Sequence, residues 1–233
     1  MASIIDSFRE TFGDNLSFLK IFILSIPVYC SYQVYINDKK DYTGFFWLTG
    51  ITLFFLFGLL IKVTNNVLNE KDSVLPSFNP FPLAFSAFKG SIAVGPAAWI
   101  SCALANYVCS FINIIPWLDI TLKSVIWLVV AAVITTSFLM FSTKERILDS
   151  YNLKILSDKS GDLMVMLIFF LLQLILINIP TTVFIGYVLI ILFGFGPIIN
   201  EFIAIALVFN IAVTGHYMAQ VHYEVFSYEK TKL

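Results

Sequence analysis

The chain has 233 residues, of which 59% are hydrophobic and 12% are charged, and its net charge is −1 at pH 7. Soluble domains contain roughly 45–50% apolar and about 25% charged residues, so this composition excludes an ordinary soluble domain and predicts that lipid covers most of the surface. The near-neutral charge and the lack of a basic run in the sequence argue against nucleic acid as a partner.

The apolar runs predict an all-α polytopic transmembrane helical bundle of about six spans, which forms a single integral membrane domain over residues 1–233. The predicted spans are residues 16–35, 43–63, 91–115, 120–141, 163–179 and 198–221, with a candidate half-helix at 182–193. The last apolar region, which Pro180 interrupts, also fits one long, tilted and kinked fifth span.

Lysine and arginine positions predict the orientation of these spans. If six spans place both ends of the chain on one side, Lys39, Lys40 and Lys123 lie on the opposite side from the other eleven of the 14 Lys and Arg residues. Positive residues are enriched on the cytoplasmic side of membrane proteins. The distribution therefore predicts a multi-pass protein of the cytoplasmic membrane whose N- and C-termini are cytosolic.

Residues 1–14 are predicted to form a short amphipathic interfacial helix, which Ser3 begins and Gly13 ends. Its apolar face is formed by Ile4, Ile5, Phe8 and Phe12. Such a helix either lies in the membrane interface or packs on its own bundle, and the sequence leaves both alternatives open.

Residues 65–90 form the longest segment that is predicted to lie outside the membrane. Leu75 and Pro76 are expected to end the helix that leaves the second span, because proline disfavours a helical conformation in the residue before it. A new amphipathic helix is predicted to follow, with an aromatic interfacial face made of Phe81, Phe85 and Phe88. Gly90 is then expected to turn the chain into the third span.

The third span differs from the others because it carries a small residue at every fourth position. These residues are Ala97, Ser101, Ala105 and Cys109. Small residues at this spacing allow two helices to approach closely in lipid, so they are predicted to pack against another helix. The third span is accordingly expected at the centre of the bundle.

The sequence contains no motif that would indicate an enzyme. Cys-x-x-Cys, His-Glu-x-x-His, Gly-x-Ser-x-Gly and phosphate-loop patterns are all missing from it, so no catalytic residue, cofactor or metal is predicted. His216 and His222 are six residues apart on opposite faces of a helix, which argues against a shared metal. Glu201 either senses a cargo or a proton at the outer mouth or stabilises its own helix dipole.

A short sequence pattern extends from the second predicted span to the start of the third. It consists of Gly58, then Leu75 and Pro76 followed by Phe78, then Phe85 and Gly90. The pattern resembles the DUF4013 family of multi-span bacterial and archaeal membrane proteins, and Tyr151 and residues 215–223 look similar too. Acidic positions of the family pattern are replaced by Ser77, Asn79 and Pro80, so the chain resembles a divergent member. The resemblance implies a six-helix α-bundle and implies no activity.

These features predict a non-catalytic membrane protein that serves as a scaffold or accessory subunit in envelope or lipid processes. The expected partners are membrane lipid and a cytosolic protein, the latter at residues 65–90 and 142–162. In the second of these segments an amphipathic helix is expected to precede a polar break at 157–162. The candidate interface residues are Leu75, Pro76, Phe78, Phe81, Phe85, Phe88, Lys89 and Gly90.

Two alternatives stay open on the sequence alone. The chain also fits a permease subunit of an ATP-driven transporter that resembles the ABC-2 type, in which residues 81–89 are the coupling helix that contacts the ATPase. A membrane enzyme that acts on lipid would need a polar cluster at the interface, which the sequence does not assemble. The oligomeric state is left open.

Overall fold

The computed structural model of this chain describes residues 2–14, 16–37, 42–77, 79–112, 115–173, 175, 183, 186–188, 194 and 199–226. In this part of the chain the regular secondary structure is helical throughout, which confirms the all-α prediction. The helices are α1 (Ile4–Gly13), α2 (Ser17–Asn37), α3 (Tyr42–Leu68), α4 (Pro80–Phe111), α5 (Pro116–Lys144), a 3₁₀ helix (Ile147–Tyr151), α6 (Leu153–Gln173) and α7 (Ile199–Phe226).

Four of the described helices are long and apolar enough to cross a membrane. They contain the candidate spans Phe46–Leu68, Pro80–Phe111, Pro116–Lys144 and Asn200–Phe226. A fifth span is obtained if α1 and the start of α2, which meet at an angle of 100°, are counted as one bent crossing. These helices indicate a membrane-embedded protein with four or five candidate spans.

The ends of α3, α5 and α7 meet on one side of the bundle. Tyr223 OH, near the end of α7, donates to the carbonyl of Leu68, the last residue of α3, over 3.0 Å. Asn65 Nδ2 of α3 donates to the Ser142 carbonyl, near the end of α5, over 2.8 Å. The three helices therefore run in the same direction, and we call the side where they end, and where α2 and α4 begin, the polar end.

α7 and α5, rather than α4, are the most buried of the four candidate spans. Half of the α7 span is buried, against 17% of the α4 span, so the prediction that the third span is central is wrong. The small residues of α4 face α5 on one side, while Trp99 and Tyr107 are exposed elsewhere on the helix. The four predicted packing residues are buried or half-buried, namely Ala97, Ser101, Ala105 and Cys109.

Close packing at the polar end depends on glycines in α3 and α4. A Cβ atom on Gly58 would lie 2.2 Å from the Leu83 carbonyl oxygen, so a side chain there would force α3 and α4 apart. A Cβ atom on Gly90 would lie 2.4 Å from Ile61 Cδ1. Gly90 is thus a packing residue inside a helix, and the turn expected at this position is not formed.

α4 is one continuous helix, which corrects the predicted division into a short interfacial helix and a separate span. Asn79 caps its start, since Asn79 Oδ1 accepts a hydrogen bond from Phe81 N over 3.0 Å. Pro80 and Pro82 lie in the first turn, where a missing N–H group removes no intrahelical hydrogen bond. The helix therefore begins at the prolines and continues through Gly90 to Phe111.

α6 also differs from the prediction, because it runs without a break through residues 157–162. Its last residue, Gln173, accepts a hydrogen bond from Ile4 N over 3.0 Å, and Ser3 N next to it donates to Gln220 Oε1 over 2.7 Å. The described part of the predicted fifth span thus ends beside α1 at the polar end. Residues 176–179 and most of the predicted half-helix at 182–193 lie outside the described residues.

Candidate functional site at the polar end

Asp14 joins the corner between α1 and α2 to the loop between α3 and α4. Its Oδ2 accepts hydrogen bonds from Lys20 Nζ at 3.0 Å, from Ser73 Oγ at 3.1 Å and from Leu75 N at 3.1 Å. The Asp14 and Lys20 side chains are 2% and 10% exposed, so the ion pair is largely shielded from water. A buried carboxylate with three donors holds its neighbours in fixed positions.

Leu75 and Pro76, two of the predicted interface residues, are buried in this arrangement. Leu75 packs in an apolar cluster with Leu59 and Leu83, so the α3–α4 loop folds back onto the bundle. These residues support the loop and are not available to a partner. Phe78, the next predicted residue, lies outside the described residues.

Asn65 and Asn66 link the end of α3 to the neighbouring segments. Besides its bond to Ser142, Asn65 Nδ2 donates to the Thr143 carbonyl over 3.2 Å, which satisfies carbonyl groups that the end of α5 leaves free. Asn66 Nδ2 donates to the Val74 carbonyl over 3.2 Å. Lys71 Nζ lies between the two amide oxygens, at 3.0 and 2.9 Å, and so fixes the orientation of both side chains.

Glu145 connects α3, α4 and the end of α5. Its Oε1 lies 2.6 Å from Lys62 Nζ, and its Oε2 accepts a hydrogen bond from Ser86 Oγ over 2.8 Å. Glu145 caps α5 in the left-handed conformation, with φ of 49°, and its N–H donates to the Phe141 carbonyl. A non-glycine residue in this conformation is uncommon and is stabilised here by bonds on both carboxylate oxygens.

An open cavity of about 860 Å³ lies at the polar end beside these groups. Lys20, Lys62 and Lys71 line it together with Glu70 and Asp72. Lys20 and Lys62 are neutralised by their carboxylate partners, so the cavity has no strong excess of either charge. In the described residues no group of three or more His, Cys, Asp or Glu side chains could hold a metal ion.

An exposed aromatic surface lies next to this cavity on the first turns of α4. Phe81, Phe85 and Phe88 are 79%, 58% and 58% exposed, so the described residues leave most of this aromatic face uncovered. Lys89 Nζ lies 4.4 Å from the centre of the Phe85 ring, within the range of a cation–π contact. We call these four residues the aromatic patch.

The second predicted partner segment, residues 142–162, is partly used for internal packing. In the 3₁₀ helix, Ser150 Oγ donates to the Ala93 carbonyl over 3.2 Å, and Tyr151 OH donates to the Ile92 carbonyl. Leu148 remains 82% exposed. The 3₁₀ helix therefore packs on α4 and presents only part of its surface.

α1 packs on α7, as one of the two alternatives for this helix proposed, while its position relative to the membrane interface stays a prediction. His216 of α7, only 2% exposed, lies between Glu10 Oε2, 2.6 Å from its Nε2, and Ser7 Oγ, 3.1 Å from its Nδ1. Serine, histidine and glutamate also form hydrolytic sites, but Ser7 is fully buried and its hydroxyl donates to the Ser3 carbonyl. A substrate would have no access to it, so the cluster is a docking contact.

The other titratable residues singled out in the sequence lie apart from the polar cavity. His222 stacks on Phe226, with 4.6 Å between the ring centres. Glu201 lies in the first turn of α7, close to Tyr29 of α2. The two hypotheses for Glu201 stay open.

Sequence reasoning missed the three residues that organise the polar end, Asp14, Asn65 and Glu145. One signal was available: Asp14 and Glu145 directly follow the ends of α1 and α5. An acidic residue there is unfavourable for the helix dipole and therefore suggests a compensating partner elsewhere.

No protein-family model, no curated protein and no solved structure matches this chain. The resemblance to the DUF4013 family therefore stays a prediction.

Proposed function

We propose that the protein is a non-catalytic multi-pass membrane protein that acts as a scaffold or accessory subunit in envelope or lipid processes. In this proposal the polar end is the surface that binds a protein partner. The observation that carries it is the fixed arrangement of the polar end: Asp14, Asn65 and Glu145 join four segments of the chain next to the exposed aromatic patch.

A fixed surface favours binding because little conformational freedom is lost when the partner arrives. Aromatic side chains are enriched among residues that dominate binding energy, and three of them are exposed together here. Lys20 and Lys62 beside them are paired with Asp14 and Glu145, so a partner would meet a polar rim without having to neutralise these two charges. The expected partner is thus a protein with an apolar contact surface.

The polar end is proposed to face the cytosol. Lys62, Lys71 and Lys144 lie at this end, whereas Lys123 lies near the start of α5, at the opposite end. The positive-inside rule then gives cytosolic ends for α3, α5 and α7 in the cytoplasmic membrane. Membership of the DUF4013 family is compatible with this arrangement and is part of the proposal.

The alternative function, a permease subunit driven by an ATPase, loses one of its supports. Residues 81–89, the expected coupling helix, are the start of α4 rather than a separate helix. Lys89, within this predicted coupling helix, lies over the Phe85 ring. The alternative is therefore kept as an outcome of the experiment that tests the proposal.

The test is affinity purification from native membranes in a mild detergent, followed by quantitative mass spectrometry. The variant Phe81→Ser, Phe85→Ser, Phe88→Ser should lose the co-purified partner by about tenfold or more, which corresponds to about 1.4 kcal/mol. The matched control is Phe111→Ser, Trp117→Ser, which removes aromatic residues of similar exposure, 70% and 67%, at the opposite end. The control should retain the partner.

Two outcomes would reject the scaffold proposal. If the wild-type protein is recovered without any stoichiometric partner, the polar end has no binding role under these conditions and the proposal fails. If a stoichiometric ATPase is recovered and the aromatic-patch variant loses it, the permease alternative replaces the proposal.

A further inference from the structure

A second cavity, of about 610 Å³, lies between α1, α2 and α7. Its described lining contains six phenylalanines, two from each helix: Phe8, Phe12, Phe18, Phe22, Phe202 and Phe209. Pockets of this size that are lined mainly by aromatic and aliphatic side chains are typical binding sites for apolar molecules. The docking of α1 on His216 closes one side of the cavity.

The cavity is continuous with the surface that the helices present to lipid. Phe18 and Phe22, which line it, are 72% and 54% exposed, and Ile203 and Leu207 on the neighbouring surface of α7 are 46% and 43% exposed. α7 is a candidate span, and α1 with the start of α2 is the bent candidate span. A molecule can therefore enter this cavity from the membrane without crossing water.

The side chains that line the cavity restrict which lipid headgroup can bind there. Among the described residues that line the cavity none is charged, and Asn210 is the one with a polar side chain. Asn210 Oδ1 is buried without a hydrogen-bond partner. An amide oxygen accepts hydrogen bonds, so Asn210 Oδ1 needs a donor, and the hydroxyl group of a lipid provides one, whereas a charged head would lack a counterion.

We infer that this cavity binds an acyl chain of an uncharged membrane lipid, with a hydroxyl group of that lipid donating to Asn210 Oδ1. Diacylglycerol has this chemistry, and it is the probe for the test. The inference goes beyond the proposed scaffold function, since it concerns different helices and does not depend on the polar end.

The test uses the full-length protein in nanodiscs that contain a diacylglycerol with a photoreactive acyl chain. The charged comparison probe is phosphatidylglycerol with the same photoreactive chain. Wild-type protein should be labelled by diacylglycerol at least fivefold more than by phosphatidylglycerol, and the label should map to residues 8–22 and 202–210. Excess unlabelled diacylglycerol should abolish it.

Two variants locate the site. Ala206→Phe fills the cavity and should reduce labelling to background, whereas Ala103→Phe, which adds the same bulk at an exposed position of α4, should leave labelling unchanged. Asn210→Leu keeps the volume but removes the amide, so it should abolish the preference for diacylglycerol while chain labelling persists. Size-exclusion profiles and melting temperatures show whether each variant is folded.

Several results would overturn the inference. Equal labelling by both probes, or labelling that unlabelled lipid does not compete, would indicate ordinary lipid contact with the outer surface; this wild-type comparison remains decisive even if Ala206→Phe fails to fold. Cross-links of residues 202–210 to a second copy, or to the segment between α6 and α7, in place of lipid would assign the cavity to protein.

Discussion

The two ends of the bundle use ion pairs in different ways. At the polar end, Lys20 and Asp14 lie 3.0 Å apart, almost without exposure, and Asp14 also holds the α3–α4 loop. At the opposite end, Lys123 and Asp119 lie 2.9 Å apart within one turn of α5, with side chains that are 37% and 22% exposed. The carboxylate of the first pair also accepts hydrogen bonds from Ser73 and Leu75, about 60 residues away in sequence, whereas the second pair supports only its own helix.

This difference predicts which residues determine the tertiary structure. A shielded pair is costly to break, because the remaining charge loses its partner without gaining water. An exposed pair within a helix contributes little, because water and salt already screen it. The following substitutions test the comparison from the largest expected effect to the smallest.

Asp14→Ala should give the largest loss of stability. It leaves the Lys20 charge buried and removes the acceptor for Leu75 N, so the free energy of unfolding should fall by about 3–5 kcal/mol. Thermal or denaturant unfolding of the purified protein in detergent measures the loss. The double variant Asp14→Leu, Lys20→Met should recover most of it, since no charge is then buried alone. Equal loss in the single and double variants would contradict the electrostatic explanation.

Gly58→Ala should have the next largest effect. The added Cβ would lie 2.2 Å from the Leu83 carbonyl oxygen, so α3 and α4 must separate, at a cost of about 1–3 kcal/mol. The matched control is Gly95→Ala in α4, where a Cβ meets no atom within 4 Å. That substitution should raise stability by up to about 1 kcal/mol, because alanine favours helix over glycine. Similar melting temperatures for the two variants would show that α3 and α4 do not pack this closely.

Asp119→Asn should have the smallest effect. The pair with Lys123 is partly exposed and lies within one helix, so the free energy of unfolding should change by about 0–1 kcal/mol. The change should shrink further when salt is added to the unfolding assay. A loss as large as that of Asp14→Ala would remove the distinction between the two ends.

Sequence reasoning predicted the elements better than the contacts between them. Apolar composition and helical periodicity correctly indicated an all-helical chain with several candidate spans, and the i, i+4, i+7 spacing correctly indicated an exposed aromatic face at Phe81, Phe85 and Phe88. The break expected at 157–162 and the turn expected at Gly90 were wrong. Polar and small residues interrupt an apolar pattern without interrupting a helix, because the backbone hydrogen bonds continue through them.

The candidate site shows the same limit. Leu75 and Pro76 were expected in an interface with a partner, but they are buried within the chain. The turn that they form is a local property of proline, whereas the burial of Leu75 depends on Asp14, 61 residues earlier in the chain. The residues next to Leu75 in the sequence do not indicate a contact with Asp14, and those next to Asp14 do not indicate a contact with Leu75.

The sequence by itself determined that the described chain is helical and that several of its helices are apolar enough to cross a membrane, since both follow from composition and periodicity over a few turns. The tertiary structure decided which helices are central, where α6 ends, how α1 docks on His216, and that two cavities form, one polar and one lined by phenylalanines. The physical reason is that helix formation depends on neighbouring residues, while packing depends on whether distant surfaces fit, as Gly58 fits the backbone of Leu83.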